Sequence, residues 1–552
     1  MNDRKFRPEL RVLAALVLAV AVAFWFTRSG SPAPPAGTGP GLRVNFAAGT
    51  HLNDPAAIGA DDAAGGLPDT GSAAAAVRTL LRKLRLGYSG TSVSRTGQSA
   101  DRQVTLARDL GQAPVVSIPD TVTAAAAAAL VRRFRAGPAS PVRRWLITAA
   151  TSEGAAAYSA RFNALCDAMK AAAPGVSVGG GPPAGYDQPF LRAFLRASGT
   201  RADSVGFAFY GEQAAAPKTG GQLAAALTDL SADLRATRSL IDAAVPARAA
   251  HIAIDVNGWN IADGPASVQF TGFAAMWDAD LLGRVLAAGA TSLAAGARGG
   301  LLYGGQTEAP RAYQVGSPTP LYAAIGMFTG EGLFPRFGAD VVTATSALPG
   351  VDVFASAAPD EVVVVSTASA THVTVLRVSG DAPLRATQWR LTETNGAVSA
   401  PVNAGTATSR NGSFRLSLPP GSVTTVVVTA DGTSTGGGAV TVANASTGQC
   451  LAGDGSGGVA TARCGGAPRQ RWRLAGTTLV NEQSGRCLDG DAAGRVSAGT
   501  CDGSAAENWY NLGGRLVSAP TSRCLNGNST AEVYALACDG ASQQNWTLRN
   551  AP

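Results

Sequence analysis

Between residues 42 and 305 the chain alternates short apolar runs with longer alanine-rich stretches of helical period. The runs Leu42–Phe46, Leu84–Tyr88, Pro114–Ile118, Arg144–Ala149, Val176–Gly179, Ser204–Phe209, His251–Ile254 and Gly300–Tyr303 read as strands. Ser72–Leu84, Thr121–Phe134, Ala155–Ala173, Pro189–Ala197, Gly221–Ala244 and Thr271–Ala288 read as helices between them. Buried strands with helical crossovers, repeated in this way, predict a (β/α)8 (TIM) barrel over 42–335, closed by a helix over Leu321–Phe328. An open doubly wound sheet would carry a glycine-rich phosphate turn after its first strand, and Asn45-Phe46-Ala47-Ala48-Gly49 is not one.

Beyond the barrel the period changes to two. Glu361–Val365, His372–Val378, Ser413–Leu418 and Ser422–Thr429 are β-branched runs broken by Gly, Pro and Asn, the pattern of an antiparallel β-sandwich over 336–430. The glycine-rich segment 431–438 is a linker. Residues 439–552 then repeat. Cys450, Cys487 and Cys524 are 37 apart, as are Cys464, Cys501 and Cys538, and as are Trp472, Trp509 and Trp546. Three copies of a unit too small to fold alone predict a β-trefoil with the tryptophans inside. Within each copy the cysteines lie 14 apart, so Cys450–Cys464, Cys487–Cys501 and Cys524–Cys538 are the natural disulfides. Such bridges need an oxidising compartment.

Residues 1–28 fit that compartment. Arg4, Lys5, Arg7 and Arg11 precede an apolar run from Val12 to Phe26, and Arg28 follows it, which places the amino terminus in the cytoplasm. As helix the run spans roughly 22 Å, short of the ~30 Å hydrocarbon core. A cleaved signal peptide and a membrane anchor both remain open; the missing small-x-small site favours the anchor. Residues 29–41 form a linker.

Composition narrows the chemistry. Of 552 residues 46% are hydrophobic and 15% charged, which is a globular rather than a disordered balance. The net charge of +7 is spread over scattered arginines without interleaved aromatics, so no nucleic-acid groove is expected. The 3 histidines stand far apart with no Cys/His cluster, which argues against a metal site, and nothing calls for a cofactor. Gly87-Tyr88-Ser89-Gly90-Thr91 lacks the final glycine of a nucleophile elbow. Cys166, among Phe162, Leu165 and Met169, reads as a buried inert thiol.

The stretch His251 to Asn260 is the candidate centre. It starts as a strand and ends in polar and aromatic groups, and a carboxylate at the exit of a barrel strand is where this fold keeps its chemistry. Asp255 is therefore the expected reactive group.

Two resemblances sharpen this. Gln470-Arg-Trp472 and Gln544-Asn-Trp546, with the variant Glu507-Asn-Trp509, resemble the Gln-x-Trp signature of ricin-type lectins. That resemblance implies a sugar held by an Asp two residues after the first cysteine (here Ala452, Asp489 and Asn526), an aromatic two before the second (here Ala462, Gly499 and Leu536, with Tyr534 near that position), and a polar pair before the tryptophan. No copy keeps the full set. The third is the best candidate, with Asn526, Tyr534, Gln543 and Gln544, and the second keeps Asp489.

The barrel and sandwich are similar to retaining glycosidases of the β-glucuronidase/heparanase-like or β-xylosidase-like type. The family's strand-seven Glu-x-Asn corresponds to Asp255-Val256-Asn257, and Phe273 to Asp280 looks like the following helix. The segments Pro174–Gly181 and Asp203–Tyr210 are similar to strands five and six, with Ala208 in place of a usual histidine. The Asn-Glu-Pro acid/base motif aligns either with Ala150 or, one gap later, with Glu153. The resemblance thus implies Asp255 as nucleophile and Glu153 as acid/base, with Asn257, Trp259, Tyr210, Glu212 and Tyr303 lining the sugar pocket. Retaining hydrolysis sets its two carboxyls about 5–5.5 Å apart.

The expectation is an exported glycoside hydrolase acting on a cell-envelope or extracellular polysaccharide, with a lectin-like trefoil for glycan attachment. The alternative is a catalytically inactive, carbohydrate-binding or scaffolding relative. An envelope protein that recognises other proteins is a third class.

Overall fold

The computed structural model describes residues 41–550 except 55, 62–70, 94–97, 136–141, 150–153, 214, 296–299, 304, 306–308, 310–312, 358, 380–383, 395–396, 431–439, 476–477, 492, 503, 513–514, 519–520, 522 and 538–540. The Val12–Phe26 run lies outside them. Among the described residues no helix is long and apolar enough to cross a membrane.

The first strand, β1 (Leu42–Leu52), leaves the expected barrel altogether. It pairs antiparallel with a sandwich strand at Asp340–Ser346 and parallel with another at His372–Val378. Its burial alternates, with Leu42 and Val44 inward and Arg43 and Asn45 outward, which suits a half-exposed sheet and not a strand covered on both faces.

The closed barrel has eight strands: β2 (Ile58–Asp61), β3 (Tyr88–Ser92), β4 (Ala113–Pro119), β5 (Arg144–Thr148), β6 (Ser177–Gly180), β7 (Ser204–Glu212), β8 (Ala253–Ala262) and β9 (Ala290–Ala295). Around it lie α1 (Gly71–Lys83), α2 (Gln98–Asp109), α3 (Ala124–Arg135), α4 (Ala155–Ala172), α5 (Gln188–Ser198), α6 (Gly220–Ala244), α7 (Gly272–Ala287) and α8 (Pro320–Thr329). The eighth strand is therefore Ala290–Ala295; the apolar segment at Gly300–Tyr303 comes after the barrel has closed.

Local chemistry explains where several elements start. The Asp187 side chain accepts from the Phe190 amide at the head of α5, with Pro189 in its first turn. Thr219 and Gln222 form a capping box at the head of α6. Strand β8 continues for several residues beyond its apolar beginning, because Gly258 takes a left-handed conformation (φ +80°) and its pairing with β7 shifts register between Phe207 and Phe209.

The sandwich adds β10 (Asp340–Ser346), β11 (Val351–Ala357), β12 (Asp360–Ser366), β13 (His372–Val378), β14 (Leu384–Thr394), β15 (Ala397–Val398), β16 (Val402–Ser409), β17 (Ser413–Leu418) and β18 (Ser422–Ala430). One face of it merges with the barrel core: Phe354, Val363, Val365, Trp389, Leu391, Val423 and Val427 pack in the same cluster as α7 and α8. The approach is close. A Cβ on Gly283 of α7 would stand 2.2 Å from the Phe354 ring.

Strands β19 to β30, Val440–Asn444 through Trp546–Asn550, form the trefoil. Its core repeats with the sequence period: Val442, Leu479 and Leu516; Leu451, Leu488 and Leu525; Trp472, Trp509 and Trp546. Each indole NH donates to the carbonyl 21 residues earlier, Trp472 to Leu451, Trp509 to Leu488 and Trp546 to Leu525. Burying the ring thus leaves no unpaired donor.

Candidate functional site

Asp255 lies near the amino-terminal start of β8, not at its carboxyl end. Its carboxylate forms an ion pair with the guanidinium of Arg144, which opens β5. The Asp255 side chain is fully buried and that of Arg144 only 11% exposed. The guanidinium also lies 4.8 Å from the centre of the Tyr88 ring, and the Tyr88 hydroxyl donates to Asp54. Burial opposes the Arg144 charge, but Asp255 and Tyr88 outweigh it and hold its pKa above the ordinary value. Asp255 is thus the ion-pair partner of Arg144 inside the amino-terminal layer of the barrel, whereas this fold does its chemistry at the opposite face. The expected placement at the strand exit is corrected accordingly. The apolar run ends at Ile254, but the strand does not. Glu153 lies outside the described residues.

Asn257 is two residues further along the same face of β8, about 7 Å nearer the carboxyl mouth. Its Nδ2 packs against Gly206 of β7, where a Cβ would stand 2.2 Å away, and its Oδ1 is buried without a partner among the described residues. Tyr210 of β7 is half-buried, and its hydroxyl lies 3.1 Å from where a Cβ of Gly258 would be.

Trp259 is fully buried in the barrel core and donates its indole NH to Ser292 Oγ at 2.7 Å, so it offers no face to a sugar. Glu212 is buried at the end of β7, where Oε2 accepts from the Lys218 amide at 2.7 Å and fixes the following loop. Tyr303 belongs to an aromatic trio that the sequence did not single out. Its ring centre is 5.7 Å from that of Tyr313 and 6.1 Å from that of Phe270, and Phe270 and Tyr313 are 5.3 Å apart. All three follow β8 or β9, on the carboxyl-terminal side of the barrel.

Behind the mouth, Asp278 of α7 is almost fully buried and its Oδ1 has no partner among the described residues. Burial pushes its carboxyl well above the usual range, although a hydrogen bond with the Ile261 backbone works the other way. Among the described residues no cluster of three His, Cys, Asp or Glu is placed to hold a metal ion.

In the trefoil, the bridges Cys450–Cys464 and Cys487–Cys501 are formed. Cys524 is disulfide-bonded, and its expected partner Cys538 lies outside the described residues. Cys166 is a buried free thiol.

The glutamine of the repeated motif is structural in the first copy: Gln470 accepts from the Gly465 amide and donates to the Arg463 carbonyl. Glu507 holds the equivalent turn by accepting from the Asp502 amide at 2.5 Å. Gln544 is likewise buried, whereas Gln543 is exposed and its carbonyl accepts from Asn444. Asn444 and Asn481 cap their turns in the same way, with Ser518 one further period on. That asparagine pair also follows the period of 37 residues and was there to be read.

Asn526 and Tyr534 are direct cross-strand partners between Arg523–Gly527 and Val533–Ala537. Leu536, two residues beyond Tyr534 and on its side of the strand, is 45% exposed. Asp489 of the second copy has Oδ1 buried without a partner among the described residues. Burial, then Glu507 and Asp502, push its carboxyl up to about 6.

Residues 425–501 match the family model described as ricin-type β-trefoil lectin domain-like. In fold, the chain is similar to an α-L-arabinofuranosidase from Thermotoga maritima in complex with arabinose, at 14% identity and a TM-score of 0.58, over 71% of this chain and 100% of that one. A GH51 arabinofuranosidase from Xanthomonas axonopodis pv. citri gives 12% identity and a TM-score of 0.58 over the same shares. A Paenibacillus polymyxa xyloglucanase from glycoside hydrolase family 44 gives 12% and 0.51, over 70% of this chain and 99% of that one. No curated protein matches. At such identities the likeness is one of fold: a glycoside-hydrolase-type barrel with its sandwich, joined here to a lectin-type trefoil.

Proposed function

We propose that this chain is an extracellular carbohydrate-binding protein that attaches to a polysaccharide through the third copy of its trefoil, with a glycosidase-type barrel whose Asp255 is not a nucleophile. The observation that carries the reading is half-buried Tyr534 beside exposed Leu536, with Asn526, 5% exposed, as its direct cross-strand partner. An aromatic face and a planar amide are the two groups a pyranose needs, one for its C–H face and one for its hydroxyls. The fold of the barrel, the lectin-type trefoil and the disulfides all fit a polysaccharide outside the cytoplasm.

Retaining hydrolysis through Asp255 loses support from the ion pair with Arg144. A carboxylate committed to a buried guanidinium in the amino-terminal layer has neither the position nor the freedom to attack an anomeric carbon at the carboxyl mouth.

The test is co-sedimentation of the intact chain with insoluble arabinoxylan, cellulose and bacterial cell-wall polysaccharide, with released reducing sugar measured in the same tubes. Retention without release supports the reading. Release that is abolished by Asp255→Asn in a protein of unchanged fold overturns it.

A further inference from the structure

The three copies of the trefoil meet through one repeated contact. The amides of Ala535, Thr461 and Ala498 donate to the carbonyls of Gly494, Ala531 and Gly457, each in another copy. The residue after each of those carbonyls borders the outer face of the neighbouring hairpin. It is Arg495 beside the third copy, Glu532 beside the first and Gly458 beside the second.

At the third copy the placement is set by the backbone. Leu525 and Ala535 belong to the trefoil core, so Asn526 and Tyr534, one residue away on their strands, point outward. Val496 belongs to the same core, so Arg495 points outward as well. Arg495 and Tyr534 are antiparallel bridge partners. Side chains so opposed share a face, with Cβ atoms about 5 Å apart. Tyr534 thus has Asn526 on one flank and Arg495 of the second copy on the other. The residues that match Tyr534 in the other copies are Ala460 and Ser497, so an aromatic ring and a guanidinium coincide at the third copy alone.

The charges at this junction are Arg495, Arg523, Asp491 and Glu532. Arg523 donates to the carbonyls of Ala493 and Ala535 at 3.3 and 3.5 Å. Asp491 accepts from the Arg495 amide at 2.8 Å, and Glu532 accepts from Asn528 Nδ2 at 2.7 Å and Thr530 Oγ1 at 3.2 Å. Both carboxylates therefore serve their own turns. Arg495 is exposed, and among the described residues its guanidinium has no ion-pair partner. A free guanidinium next to a ring suits a sugar whose C–H face lies on the aromatic and whose carboxylate accepts from the arginine.

Resting on the reading of the third copy as the glycan site, we infer that the glycan it holds is acidic: Arg495 selects a pyranose that carries a carboxylate, a uronate residue of the polysaccharide. The site is shared between two copies, the ring coming from the third and the charge from the second.

The experiment is binding of the full-length chain to immobilised polygalacturonate and alginate, each against its methyl ester, with dextran sulfate against dextran as the test of charge without carboxylate. Acid and ester share a backbone and differ in charge. At least one acid is expected to bind roughly threefold or more tighter than its ester. Arg495→Ala, at an exposed position, should abolish that difference by weakening the acid, whereas Tyr534→Ala should weaken acid and ester together. Arg410→Ala removes an exposed positive charge from the sandwich instead and should change nothing. Equal binding of acid and ester, an equal loss with Arg410→Ala, no effect of Arg495→Ala, or tighter binding of dextran sulfate would each overturn the inference; a loss with Tyr534→Ala in the same series would still keep the third copy as the glycan site. Binding indifferent to Tyr534→Ala would overturn both, and absence of binding to either acid would overturn the uronate assignment.

Discussion

Asp255 of β8 and Arg144 of β5 meet as a buried ion pair across the amino-terminal layer of the barrel, 111 residues apart in the chain. The pair joins two strands that are not neighbours in the sheet. Removing one partner leaves the other charged and enclosed. Asp255→Ala is therefore expected to destabilise the barrel by about 3–5 kcal/mol. Replacing both, as Asp255→Leu with Arg144→Met, is expected to recover most of that loss. Denaturant unfolding of the single and double variants measures the coupling; additive losses would show that the two side chains do not act as a pair.

The strands β4, β5 and β8 were visible as apolar runs, yet the polar end of β8 could not be told from a loop. An apolar run marks where a strand is buried on both faces, and Asp255-Val256-Asn257-Gly258 continues the strand with a polar inner face and a bulge. Similarly, Ile58–Asp61 is short and Ala290–Ala295 is built mostly of small residues, whereas Leu42–Phe46 and Gly300–Tyr303 carry the stronger apolar signal. The trefoil was legible for the opposite reason: its signal is a period, and each core position recurs with it. Among the site residues, Asn526 and Tyr534 are cross-strand partners, but the aromatic trio joins segments too far apart for spacing to reveal.

The cysteines separate into two chemical classes. Each described bridge closes a loop with 14-residue separation, and in the chain-entropy account a loop of that size is worth about 3 kcal/mol. Cys487→Ser with Cys501→Ser is expected to lower trefoil stability by roughly 2–4 kcal/mol. Cys166 is fully buried, and burial pushes its thiol up to about 11. It should resist iodoacetamide in the native protein and react once unfolded. Mass-spectrometric mapping of alkylated peptides reads both, and native labelling of Cys166 would contradict its placement.

Glu331 provides a pH test. Burial raises its carboxyl from the ordinary 4.5 to about 7, against the lowering influence of Lys83 and Tyr322. A carboxyl raised in the folded state binds its proton there longer than in the unfolded chain, so stability falls as pH climbs from about 4.5 to about 7. The loss assigned to this group is on the order of 3 kcal/mol. Glu331→Gln should flatten that part of the profile, leaving the variant less penalised at pH 8 than the parent. Urea unfolding at several pH values checks it; a parallel profile would remove Glu331 from the account.

The trefoil core predicts a cost that the proposed sugar-binding face does not share. Trp509 is nearly fully buried and bonded to Leu488, so Trp509→Ala should cost about 3–5 kcal/mol. Tyr534→Ala, at a half-buried position, should change the thermal midpoint far less. Paired thermal unfolding curves test the distinction.

The central claim is that the third trefoil copy holds the glycan, and the most direct measurement is the affinity of the intact chain and its Tyr534→Ala variant for the polysaccharide that retains the parent in co-sedimentation. The account predicts at least a tenfold rise in Kd for Tyr534→Ala, about 1.4 kcal/mol of binding, with the unfolding midpoint preserved. An unchanged Kd in the folded variant would contradict it.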